Sequence, residues 1–156
     1  METIEYVEYN SEFLEEINNF INESMHKFIN KPYKIRQDVT NIEEHYIKNG
    51  GNFWVAIDIN SKKIVGTIGL QKRENIGIVK RFYIQEEYQN KRLGTNLYQI
   101  LEKYCKENNI KILYLTCGNV LEKAHRFYLN NGYKQIDKME IDMHVGENDD
   151  SFKKVL

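Results

Sequence analysis

Proline is nearly missing from this sequence. Pro32 stands alone, where average usage of about 5% would give about eight. A Pro-rich linker is thereby excluded, and one domain spanning 1–156 is expected. Cysteine is scarce too. Cys105 and Cys117 cannot make a disulfide framework or a four-ligand zinc site, so reduced thiols and a cytoplasmic location are expected. No charge of one sign dominates: 22 Lys plus Arg face 23 Asp plus Glu, for a net charge of −1. A dedicated nucleic-acid binder would carry a basic excess. The longest apolar run is Phe53 to Ile57, against the roughly 20 residues a membrane span needs. Glu2 and Glu5 open the N-terminus with no apolar stretch behind them, unlike a secretory signal. Repeats and low-complexity tracts are also missing. What is present suits a folded core. The 156 residues are 41% apolar and 12% aromatic, and a chain of this size buries roughly 70% of its unfolded surface without staples.

Periodicity divides the chain into strands and helices. Ile4, Tyr6 and Tyr9 alternate with Glu5 and Glu8 across residues 3–9, a strand pattern that Val7 interrupts. Ser11 is read as the N-cap of a helix with Phe13, Leu14, Ile17, Phe20 and Ile21 on one face. Asn30 to Asp38 reads as loop around Pro32. Ile42 to Lys48 reads as a short helix that stops at Gly50-Gly51. Strands follow at 53–59, 63–70 and 76–84, the first two joined through Asn60-Ser61-Lys62, an antiparallel meander. Leu93, Leu97, Ile100, Leu101, Tyr104 and Cys105 step by threes and fours, which marks an amphipathic helix ending near Asn108-Asn109. A strand at 110–116 precedes a helix on Leu121, Ala124, Phe127 and Tyr128, closed by Asn131-Gly132. Extended chain resumes at Tyr133, a turn is expected at 146–151, and a last strand at 151–156. The order β-α-α-β-β-β-α-β-α-β-β predicts an α+β fold, a mixed sheet flanked by helices.

Two segments carry chemistry. The first, Tyr88 to Leu97, joins an apolar strand to a strong helix. Unsatisfied N–H groups and the positive end of the helix dipole make an anion site there. Gly94 allows close approach to the backbone, and Lys91 and Arg92 add positive charge. No Walker-type Lys-Ser/Thr follows, and no dinucleotide glycine triplet is present. The second segment runs from Ala124 to Tyr133. Its Phe127-Tyr128 pair sits on a helix that stops at Gly132. Core packing accounts for Phe127, whereas a buried Tyr128 phenol needs a partner.

Together, in this order, the two segments resemble the GNAT superfamily of N-acetyltransferases. Gln89-x-x-x-x-Gly94 is similar to that family's acyl-CoA loop, Arg/Gln-x-x-Gly-x-Gly/Ala. Ala124 to Tyr133 resembles its Ala-x-x-Phe-Tyr-x-x-x-Gly-Phe/Tyr block, and Val79 to Ile84 its splayed central strand. The likeness covers nearly the whole chain and implies a mostly antiparallel, twisted sheet. It also implies acetyl-CoA as acyl-donor co-substrate, no metal, and direct attack by a primary amine in a ternary complex. By the same resemblance the pyrophosphate would lie on backbone amides of Asn90, Lys91, Arg92, Leu93, Gly94 and Thr95, with Gln89 shaping the loop. Backbone groups of Phe82, Tyr83 and Ile84 would line the pantetheine arm, Asn119 would hydrogen-bond it, and Tyr128 would protonate the leaving thiolate. Two positions depart from the pattern. Arg92 stands where the first loop glycine usually stands, and Ile78 where many relatives place a glutamate base. Both leave open a second reading, a non-catalytic acyl-CoA-binding sensor or scaffold.

Other residues take weaker roles. Cys117 has no His partner at fixed spacing to make it a nucleophile, and Cys105 lies on an apolar helix face. His125 sits three residues from Tyr128, close enough on a helix to share its cleft. His26, His45, Glu16, Glu23, Glu43 and Glu44 fall in the first helical pair, the region that shapes the acceptor pocket in the family. Those carboxylates would make an acidic pocket suited to a polyamine. The chain is expected to act as a monomer or homodimer on a small-molecule amine, with no nucleic-acid or membrane partner.

Overall fold

The computed structural model describes residues 3–156. Strand β1 (Ile4–Glu8) leads into helix α1 (Leu14–Ile29) and a single helical turn α2 (Gln37–Thr40). Strands β2 (Asn52–Asp58), β3 (Lys63–Arg73) and β4 (Ile76–Ile84) form the meander. Helix α3 (Leu93–Glu107), β5 (Ile112–Gly118), α4 (Glu122–Asn130), β6 (Lys134–Ile136) and β7 (Asp149–Val155) complete the chain. Among the described residues the strands form one seven-stranded sheet in the order β1-β2-β3-β4-β5-β7-β6. Every pairing is antiparallel except that of β4 with β5. No helix of the described residues is long and apolar enough to cross a membrane.

Two cores cover the two faces of the sheet. On one, Leu97, Leu101 and Cys105 of α3 pack on Trp54, Ala56, Ile68, Leu70 and Val79, with Tyr128 of α4 and Phe152 of β7. On the other, Ile17, Phe20 and Ile21 of α1 join Val39, Tyr46, Phe53 and Val55. The 3.6-residue spacing of α3 explains its orientation. Each fully buried leucine contributes about 1.5–3 kcal/mol by leaving water.

Local departures from the expected boundaries have identifiable causes. The cap ahead of α1 is Asn10, whose side chain accepts from the Glu12 N–H at 2.9 Å, not Ser11. Either residue type can cap, and Asn10 holds the extended backbone a cap requires. The expected helix at 42–48 is a π-helical turn at Glu43–Ile47, with Lys48 N–H donating to Glu43 O at 2.9 Å. The wider turn carries Tyr46 to the Asp38 carboxylate, which its hydroxyl reaches at 2.6 Å. Strand β5 starts late because Ile110 N–H still bonds Cys105 O, and Lys111 N–H bonds Asn75 O. Strand β7 starts early, at Asp149, because the Gly146–Asp149 turn closes ahead of it.

Candidate active site

The parallel join of β4 and β5 lasts only three register pairs, Ile76–Ile112, Gly77–Leu113 and Ile78–Tyr114. Beyond it β4 runs six residues to Ile84 and β5 four to Gly118 without pairing, so a wedge opens inside the sheet. A bulge bends β4 at its mouth, where Arg81 takes φ +55° and its carbonyl accepts from Thr67 Oγ1 at 2.8 Å. Gln85 N–H donates to Val65 O. By the alternation of an antiparallel edge, the N–H groups of Phe82 and Ile84 turn the other way, into the wedge. Tyr83, between them, projects toward the α1 side with its phenol largely enclosed. Burial raises its pKa, against the lowering influence of Arg81 and Arg36.

The chain after β4 closes one end of this gap. Gln89 Nε2 donates to Ile84 O at 3.1 Å, which braces the loop. Asn90 and Arg92 both adopt positive φ, +64° and +66°, and such alternation turns successive N–H groups toward one concavity. Helix α3 then begins at Leu93 with no side-chain cap, leaving the N–H groups of its first turn to serve an anion. Lys91 and Arg92 are exposed beside it, Lys91 with its ammonium 5.7 Å over the Tyr88 ring. Leu93 is buried, so only its backbone faces a ligand. Thr95 is half-buried in the first turn. A Cβ on Gly94 would lie 3.6–4.0 Å from Phe82 and Ile84, an ordinary contact, so packing within the chain does not demand glycine there. Free donors and a cationic rim at a helix N-terminus fit a pyrophosphate. Arg92 pays the cost of a left-handed conformation that glycine adopts freely.

Tyr128 enters from α4. The residue is 8% exposed, and its ring lies among Tyr133, Phe127, Phe152 and Phe82 at centroid distances of 5.5, 5.7, 5.9 and 6.4 Å. Its hydroxyl makes no hydrogen bond among the described residues, where no fully buried side-chain nitrogen or oxygen lacks a partner. The hydroxyl therefore reaches accessible space. Burial, with the nearby Cys117, Tyr133 and Tyr83, pushes its pKa well above that of an ordinary phenol, so it holds its proton at any physiological pH.

The other candidates are placed as follows. Ile78 is fully buried in the sheet. Asn119 lies one residue past β5 with its side chain exposed, and its N–H bonds Asn148 O at 2.8 Å. His125 is engaged, with Nε2 3.1 Å from Gly118 O and 3.6 Å from Asp150 and its ring edge-on to Phe152. Burial pushes both thiols up to about 12. For Cys117 the carboxylates of Asp149 and Asp150 add to burial. Two of the four carboxylates expected in an acidic pocket have partners within the fold. Glu16 accepts from Ile64 N–H at 2.7 Å, and Glu44 pairs with Lys48 at 3.3 Å. Among the described residues no group of three or more His, Cys, Asp or Glu could hold a metal. A cavity of about 620 Å³ lies under the β6–β7 connection, lined by Met139, Ile141, Asp142 and Met143 and reaching Asp149 and Asp150 at the start of β7.

One cluster had no warning in the sequence. Arg81 grips Asp38 with two bonds, Nε to Oδ2 at 2.9 Å and Nη2 to Oδ1 at 2.7 Å, while Tyr46 donates to the same carboxylate. Burial alone would raise the Asp38 carboxyl, but the bonds and charge of Arg81, with Tyr46, hold it below the usual carboxylate range. The partners stand 43 residues apart, and Asp38 lies in the α2 turn, within a stretch the sequence reads as loop up to that residue.

A family model described as "Acetyltransferase (GNAT) family" matches residues 14–133. A probable N-acetyltransferase camello of Xenopus tropicalis is 28% identical over 105 residues, 65% of this chain and 47% of that protein. An N-acetylaspartate synthetase of Xenopus tropicalis is 27% identical over 109 residues, 68% of this chain and 40% of that protein. The chain thus spans less than half the length of these curated relatives. Among solved structures, an acetyltransferase of the GNAT family from Staphylococcus aureus Mu50 superposes with a TM-score of 0.88 at 31% identity, over 98% of this chain and 99% of that one. The PaiA N-acetyltransferase of Thermoplasma acidophilum, solved in complex with coenzyme A, shares the fold at a TM-score of 0.75 and 23% identity, over 99% of both chains.

Proposed function

Since the chain belongs to the GNAT acetyltransferase family, we propose that it moves an acetyl group from acetyl-CoA directly to a primary amine in a ternary complex. The observation that carries this reading is the pairing of Tyr128, protonated and without a hydrogen-bond partner, with the backbone donors of a splayed strand. Asn90 to Thr95 hold the pyrophosphate on their backbone amides, with Gln89 bracing the loop. Phe82 and Ile84 pair through their backbones with the pantetheine arm, beside Tyr83, and Asn119 hydrogen-bonds it from the end of β5. A Phe82 or Ile84 N–H stabilises negative charge on the carbonyl oxygen as the amine adds. The C–N bond forms, the C–S bond breaks, and Tyr128 gives its proton to the departing sulfur. Water takes the proton that the amine loses, because Ile78 supplies no carboxylate and the Asp38 carboxylate is already engaged by Arg81 and Tyr46. Two buried free thiols suit action in a reducing cytoplasm.

Thiol release from acetyl-CoA across a panel of amines tests this reading, with turnover that depends on the amine as the expected result. Binding of acetyl-CoA without turnover would favour the sensor reading, which Ile78 in place of a glutamate supports.

A further inference from the structure

With the donor in the wedge as proposed above, on the side where α3 and α4 pack, the opposite face, under α1 and α2, is left for the acceptor. The groups on that face form an uneven charge inventory. Lys80 projects there from β4, opposite Gly69 and next to the bulge. It is half-buried, and no hydrogen bond or ion pair holds it among the described residues. Because no fully buried polar side-chain atom lacks a partner, its ammonium opens on accessible space. The one carboxylate beside it, Asp38, is already occupied by Arg81 and Tyr46. Arg36, 7% exposed, is held by neutral acceptors only, Asn22 Oδ1 and the carbonyls of Pro32 and Lys34. Glu140 is spent on Lys153 and Tyr114, and Arg73 of β3 binds the Asp142 carbonyl. Lys80, Arg81 and Arg36 therefore face Asp38 alone.

An unpaired, partly desolvated ammonium is costly unless something anionic completes it. Burial and the charge of Arg81 lower the Lys80 pKa, while Asp38 raises it. Lys80 also lies two residues before Phe82, whose N–H faces the reacting carbonyl. From this arrangement, and resting on the transferase reading above, we infer that the acceptor amine also carries a carboxylate, which Lys80 binds with the field of Arg36 and Arg81 behind it. A polyamine would meet repulsion on this face, where an amino acid would meet attraction.

Matched amines test the inference: L-lysine against cadaverine, L-tyrosine against tyramine, and L-leucine against isoamylamine, each compared at equal free-amine concentration, with spermidine as the cationic extreme. The expected result is a kcat/KM at least 10-fold higher for the carboxylate-bearing member of a pair. Lys80→Met should cut that ratio 10-fold or more, and Lys80→Arg should restore most of it, with melting temperature reporting that the variants are folded. Equal or better turnover of the decarboxylated members, or a ratio untouched by Lys80→Met, overturns the inference and leaves the transferase reading standing. If acetyl-CoA binds and no amine turns over, it is the transferase reading that fails. Calorimetry of N-acetyl-L-leucine, N-acetyl-L-tyrosine and N-acetyl-L-lysine on the CoA complex then decides the charge question. Binding that Lys80→Met abolishes supports a carboxylate site, and no binding by any of the three overturns it.

Discussion

Replacing Tyr128 by phenylalanine removes one oxygen and keeps a ring packed among Tyr133, Phe127, Phe152 and Phe82. A tyrosine hydroxyl bonded within the fold would cost about 1 kcal/mol to delete. The Tyr128 hydroxyl has no such bond, so the variant should melt within a degree or two of the parent. The kinetic effect should be far larger. General acid catalysis is worth roughly 10²–10⁴-fold, and even the lower figure is about 2.7 kcal/mol of barrier. Thiol release should therefore fall at least 100-fold in kcat with little change in KM for acetyl-CoA, because the proton moves only as the C–S bond breaks. A pH profile adds a second check. The phenol is raised above its ordinary value near 10, so its ionisation should cause no alkaline loss of activity below pH 10. A Tyr128→Phe enzyme with full kcat would refute the argument and make Tyr128 a packing residue whose hydroxyl happens to face a gap.

Four further outcomes are expected. Gly94→Ala should leave thermal stability unchanged, since the added Cβ meets only ordinary contacts, yet weaken acetyl-CoA binding about 10-fold or more by calorimetry. Arg92→Gly should raise stability by about 1 kcal/mol in chemical denaturation by relieving a left-handed residue. Asp38→Ala leaves Arg81 partly buried without its partner and should cost about 3 kcal/mol. Because the Asp38 carboxyl is depressed in the fold, its contribution is present above about pH 4 and is lost as pH falls through the folded value. Acid titration of the parent and the variant should therefore converge below that point. Incubation with acetyl-CoA and no amine should add no acetyl mass to Cys105 or Cys117, whose thiols hold their protons far above neutral pH.

Helix α3, the meander and the order of elements were legible because periodicity and turn chemistry agree along those stretches. Leu93, Leu97, Leu101 and Cys105 mark one face of α3 in the sequence and are buried together in the fold. The junction at Gln89–Thr95 was legible for the same reason, since a strand must end and a helix begin there whatever the tertiary context. In the second helical segment, local rules give a helix without distinguishing an α from a π turn. Its π-helical turn answers to Asp38, which no local rule connects to Tyr46. The face under α1 and α2 was the least legible part. Arg36, Asp38, Lys80 and Arg81 meet only after α2 is laid across the β4 bulge, and their charge balance is a property of that meeting. A count of carboxylates along the first helices does not show which of them have partners elsewhere, as Glu16 and Glu44 do.

On the proposed mechanism, the short β4–β5 join divides the reacting groups between two parts of the sheet. Phe82 and Ile84 belong to the part that carries β1–β4, while Tyr128 is fixed to the part built on β5, β6 and β7. The distance between proton donor and carbonyl is thus governed by an angle, with its vertex at Gly77, Ile78, Leu113 and Tyr114. From Gly77 to Ile84 is seven residues, a lever of roughly 23 Å at about 3.3 Å per residue. A small displacement at the vertex is magnified along that arm. A Cβ on Gly77 would lie 2.7 Å from Leu113 Cδ2, so one methyl group at the root of the wedge has to push the arms apart or force Leu113 aside. On that mechanism, residues at the root of the wedge, far from both substrates, hold the alignment of the reaction.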